Sequence, residues 1–188
     1  MARPWVAVPT TWWLAATLLA ANPAAATTLV RQSLDHLSAN NDLIVHAKVL
    51  DIHSYWNADH SFILTDVHVR PLKLLKGPSL GNPGDLTFTV MGGTVDDVTV
   101  LLVDGPDLVP GSEYVLFLGR ANLPGARDRL TVRDLVQGVF EVSQGRAISQ
   151  ALRDPLLPDL DGFTDVPGGA DGLRLDDLIR RIGGGDQR

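Results

Sequence analysis

Residues 43–49, Leu-Ile-Val-His-Ala-Lys-Val, and residues 62–69, Phe-Ile-Leu-Thr-Asp-Val-His-Val, decide the fold. In the first run Leu43, Val45, Ala47 and Val49 alternate with Ile44, His46 and Lys48. A period of two is the signature of a strand with one buried face. In the second, Thr65, Val67 and Val69 alternate with Asp66, His68 and Arg70. Tyr55 to His60 lies between them as a turn, so the two runs are expected to form a long antiparallel hairpin.

Further strands follow outward from this hairpin. Gly77 to Gly84 holds three Gly and two Pro, which is a loop. Leu86, Phe88 and Val90 then alternate with threonines up to Gly92-Gly93, and Val98 to Val103 is apolar enough for another strand. Tyr114-Val115-Leu116-Phe117-Leu118 is the most apolar run and belongs at a buried central position. Leu130–Asp134 and Gly138–Val142 complete the set. Ahead of the hairpin, Ser33 caps a short helix through Leu34 and Leu37 that stops at Asn40-Asn41. Near the other end Leu175, Leu178, Ile179 and Ile182 fall at helical spacing, with Asp176 and Asp177 at the start and Arg180 and Arg181 towards the finish. This predicts an amphipathic helix over 173–183 that packs on its own domain.

Several short strands with turn signals between them and no alternating long helices predict a mainly β fold. The expectation is a small antiparallel β-barrel over residues 27–145, with a short N-terminal helix and a short C-terminal amphipathic helix. Residues 146–172, rich in Pro, Gly and Asp, read as a linker between barrel and terminal helix.

The first 26 residues read as a secretory signal. One charge, Arg3, precedes an apolar stretch from Trp12 to Ala21 that is too short to span a bilayer, and Ala24-Ala25-Ala26 supplies the small-residue cleavage pattern. The expected mature chain begins at Thr27 and is exported, to a periplasm or beyond, with no membrane association after cleavage. Export permits disulfides, yet the sequence has no Cys, so the core alone must stabilise the domain.

Arg3 is one of 16 Lys and Arg, so 15 bases face 22 acids once the leader is removed. Nucleic acid is an unfavourable partner for such a chain, because phosphate binding relies on clustered bases and only scattered Lys73, Lys76, Arg127 and Arg129 are on offer. A protein or a glycan remains as the expected partner.

Asp42–Val49, Thr65–Val69 leading into Leu74-Leu75-Lys76-Gly77, Gly92-Gly93, Pro110–Leu118 and Gln137–Val142 resemble a group of uncharacterised exported bacterial proteins. The resemblance spans roughly residues 29–145 and the terminal helix. It implies a secreted single-domain β-barrel similar to the oligonucleotide/oligosaccharide-binding (OB) fold, and it carries over no activity and no catalytic residue.

Gly77-Pro78-Ser79-Leu80-Gly81 matches the Gly-x-Ser-x-Gly expression of hydrolase nucleophile elbows, but Asn82-Pro83-Gly84 prevents a helix from following and every His precedes Ser79. Asp159–Asp165 resembles part of a calcium loop in which Leu157 and Gly168 occupy essential ligand positions. Phosphate-binding glycine motifs are absent and no cofactor is implied. Asp96-Asp97 sits in a loop.

The five His fall between residues 36 and 68. His46 and His68, on outward faces of neighbouring strands with Asp66 nearby, form the candidate metal set. Tyr55 and Trp56, an aromatic pair where solvated polar residues are usual, form the candidate partner surface. The leading expectation is therefore an exported non-enzymatic binding or interaction domain. Metal handling through the His cluster and an exported hydrolase are the alternatives.

Overall fold

The computed structural model of the chain describes residues 31–79, 84–153 and 171–184. The expected leader, the calcium-like segment and most of the expected linker lie outside the described residues.

Helix α1 (Leu34–Asn40) starts where the sequence places it, with Ser33 Oγ accepting the His36 N–H at 3.2 Å. Strands β1 (Leu43–Trp56) and β2 (Ile63–Lys76) are both longer than their alternating cores suggest. They pair antiparallel over almost their whole length, and Leu50 on β1 and Leu72 and Leu75 on β2 have no partner across the ladder. Each extra residue is a bulge, which bends its strand and increases its twist. β3 (Leu86–Met91) pairs with Leu64–Val69 of β2, and β4 (Gly93–Val95) and β5 (Val98–Val100) form a separate small ribbon whose two-residue turn is Asp96-Asp97.

The remaining strands are β6 (Glu113–Leu123), β7 (Ala126–Thr131), β8 (Val139–Ser143), β9 (Arg146–Ser149) and the two-residue β10 (Leu173–Arg174), followed by helix α2 (Leu175–Gly184). The sheet runs β10-β9-β8-β6-β1-β2-β3, all antiparallel. β6 sits at its centre, as its apolar run requires. It forks: residues 113–116 pair with β8, and residues 119–123 pair with β7.

The fork brings β7 round towards β3, and their Cα atoms approach to within 8 Å. No ladder joins them among the described residues, so the expected barrel is not closed. The fold is a mainly β domain with an antiparallel sheet and two helices.

The sheet has two buried faces. On one, Val45, Val49, Val67, Val69, Phe88, Tyr114 and Leu116 pack together. On the other, Ile44, Val115, Phe117 and Phe140 meet Leu34 and Leu37 of α1 and Leu178 and Ile182 of α2. The terminal helix thus covers its own sheet. It also explains why Leu43 to Ala47 are buried without a break, where the alternation predicts one solvated face.

Other boundaries differ from the sequence reading as well. β7 begins four residues before Leu130, because Gly125 turns the chain directly back from β6. Arg146–Ser149, placed in the linker, is β9, held on one side by β8 and on the other by Leu173-Arg174. Of Val98–Val103, only the first three residues pair. No helix among the described residues is long and apolar enough to cross a membrane.

Candidate functional site

The register that starts with Trp56 opposite Ile63 sets where the hairpin's polar side chains fall. His46 lies opposite Lys73 on β2, whereas His68 lies opposite Asp51 on β1. Lys73 and His68 are five residues apart on one strand, so the backbone positions of the two histidines lie about 16 Å apart along the strands. His46 is also not outward: it is 9% exposed, on the same face of β1 as Ile44, with Nε2 3.1 Å from Glu113 Oε2. His68 Nδ1 lies 3.0 Å from Thr87 Oγ1. The proposed metal set of His46, His68 and Asp66 is therefore not brought together, and no group of three or more His, Cys, Asp or Glu suited to a metal occurs among the described residues. The other histidines disperse as well, His36 onto Asn40 and His60 onto Trp56.

Asp66 belongs instead to a polar strip on the outer face of β1, β2 and β3. It lies in register with His53 on one side and Thr89 on the other. Its Oδ1 accepts the Thr89 hydroxyl at 2.6 Å and the Tyr55 phenol at 3.2 Å. Burial and the Asp66 charge raise the Tyr55 phenol above its ordinary 10.0, since both disfavour a phenolate, and Arg129 partly offsets them. His53 stacks on the Tyr55 ring at 6.2 Å.

Tyr55 and Trp56 do not form one surface. Successive strand residues point to opposite faces, so Tyr55 joins the Asp66 strip while Trp56 stacks on His60 in the turn, at 6.2 Å. That turn is organised by buried Asn57. Its Oδ1 accepts the N–H groups of Ser61 and Phe62, at 2.9 and 3.0 Å, and its Nδ2 donates to Ser61 Oγ and to the Pro124 carbonyl of the β6–β7 turn. The polar groups of this end of the molecule are thus largely engaged with one another.

A different surface stands out. Val98 is 45% exposed, Leu101 87%, Val103 64% and Val109 49%, four large aliphatic side chains within twelve residues. Their backbone is held in place at several points. Leu102 and Gly105 close a turn, and Asp104 O accepts the Val136 N–H. Buried Gln150 binds both the N–H and the carbonyl of Asp107 with its side-chain amide. The Tyr114 hydroxyl accepts the Val109 N–H at 3.1 Å, and Gly111 and Ser112 bond to both backbone groups of Val49. Leu108 alone turns inward, onto the sheet core.

The sequence reading missed this surface. Leu101-Leu102-Val103 looks like a continuation of a strand, and an apolar run carries no mark that distinguishes burial from display. Ser79 is exposed beyond the end of β2, and no hydrogen bond to it occurs among the described residues. No protein-family model matches the chain, and no curated protein sequence matches it either.

Proposed function

We propose that the chain is an exported, non-enzymatic interaction domain, and that residues 98–109 are its contact surface for a protein partner. One observation carries this reading: four large aliphatic side chains are displayed on a backbone anchored from β1, β6, the turn at 135–138 and Gln150. Leaving them in water forgoes the gain of burying them, roughly 1.5–3 kcal/mol for each side chain fully covered. Isolated exposed aliphatics are ordinary on protein surfaces, but four in one anchored twelve-residue segment favour a partner that covers them. A glycan is the less suitable partner here, because sugars dock on aromatic faces with polar neighbours and this segment contains neither Tyr nor Trp.

The resemblance to an OB-like barrel is part of the proposal. The bent β1, its pairing with both β2 and β6, and the approach of β7 to β3 support it. Export rests on the leader-like composition of residues 1–26.

The test is site-specific photocrosslinking in the native host, with the crosslinker at Leu101, at Val103 and, as a control, at exposed Arg127 on β7. Adducts of one defined mass at 101 and 103, and none at 127, are expected. Equal labelling at all three positions, or none at any, refutes the reading.

A further inference from the structure

We infer that the partner of the 98–109 surface presents a basic, aliphatic segment, an inference that rests on the reading just given. From Gly77 to Gly119 the chain has Asp85, Asp96, Asp97, Asp104, Asp107 and Glu113 and not one Lys, Arg or His. Exposed Asp96 and Asp97 form the tip of the β4–β5 ribbon immediately before Val98, and exposed Asp107 follows Val103. None of these three side chains makes an ion pair among the described residues. The aliphatic display is thus bordered by uncompensated negative charge, and complementary charge around an apolar centre sets both partner choice and rate of encounter.

The same charges weigh against the other occupants. Residues 154–170 contain Asp154, Asp159, Asp161 and Asp165 and no base, so they share the sign of the surface. A second copy meeting this surface about a two-fold axis would bring both sets of Asp96, Asp97 and Asp107 into one interface, with no base among residues 77–119 to offset them. An anionic bilayer would be repelled in the same way. A segment that alternates Leu or Val with Lys or Arg satisfies both features at once.

The experiment measures binding of three synthetic peptides to the full mature chain: a helical repeat of Leu and Lys, the same repeat with Glu for Lys, and the same repeat with Ser for Leu. The Leu/Lys peptide alone is expected to bind, more weakly as salt rises. The triple variant Asp96→Asn, Asp97→Asn, Asp107→Asn should weaken it by about tenfold and flatten its salt dependence, in line with the modest worth of each exposed charge pair. Leu101→Ser with Val103→Ser should abolish it. Both variants should melt with the parent chain, since every altered side chain is exposed. Failure of the Leu/Lys peptide to bind, equal binding of the Glu peptide, or indifference to the triple variant overturns the basic partner. If aliphatic peptides bind regardless of charge and Leu101→Ser with Val103→Ser removes them, the contact surface stands and only its charge preference is wrong. If that double variant changes nothing, the surface itself is wrong. Dimerisation of the unliganded chain that is lost in the double variant would identify a second copy as the occupant and likewise overturn the inference.

Discussion

Asn57 concentrates more structural consequence than any other polar side chain in the hairpin turn. It is buried, and its amide makes four hydrogen bonds, two to backbone N–H groups of its own turn, one to Ser61 Oγ and one to Pro124 O across the β6–β7 turn. Asn57→Ala leaves the Ser61 and Phe62 amides and the Pro124 carbonyl short of a partner, so it should destabilise the fold by about 2–3 kcal/mol. Denaturant unfolding reads this directly, and a loss below about 0.5 kcal/mol would show the turn to be held by other contacts. Tyr55 gives a second residue-scale test, through alkali. Its phenol is raised in the folded chain, so folding favours the protonated form. The resulting stability is complete below the unfolded value of 10.0 and disappears as pH rises through the higher folded value. Between pH 9 and pH 11 the parent chain should therefore lose stability more steeply than Tyr55→Phe, and parallel slopes for the two would show that the phenol is not coupled to folding.

At the scale of elements, α2 is the informative case. Its apolar spacing is plain in the sequence, and the expectation that the stripe covers its own domain rests on the general habit of surface helices, not on the spacing itself. Leu178 is fully enclosed by the second core, whereas the adjacent Ile179 stays half-buried at the edge. Leu178→Ala should cost about 2–5 kcal/mol and Ile179→Ala clearly less. Similar, small losses for both in thermal or denaturant unfolding would mean that the helix is not part of the cooperative unit. The strands teach the converse lesson. The alternation at Leu43–Val49 locates β1 but misjudges His46, since a helix distant in sequence covers the second face. Register was likewise out of reach. Leu50, Leu72 and Leu75 are ordinary strand residues that only the completed ladder shows to be bulges, and the pairing of Trp56 with Ile63, which sets His46 five residues from Asp51, the partner of His68, shows only there too.

For the molecule as a whole, strand-rich class, central β6 and both helices follow from periodicity and capping, which are local. What did not follow was long-range: the fork of β6, the unzipped approach of β3 to β7, and the β9–β10 pairing that closes over a stretch reading as linker. The contact surface belongs to this second group, because whether Leu101 is covered depends on elements elsewhere in the chain. That dependence has a consequence in time. Asp107 is clamped by Gln150, 43 residues later, and Asp104 by Val136. A chain emerging from its N-terminus must expose Val98 to Val109 before either clamp exists, so this aliphatic stretch is loosest when the protein is youngest and takes its final shape only after β9 has been made.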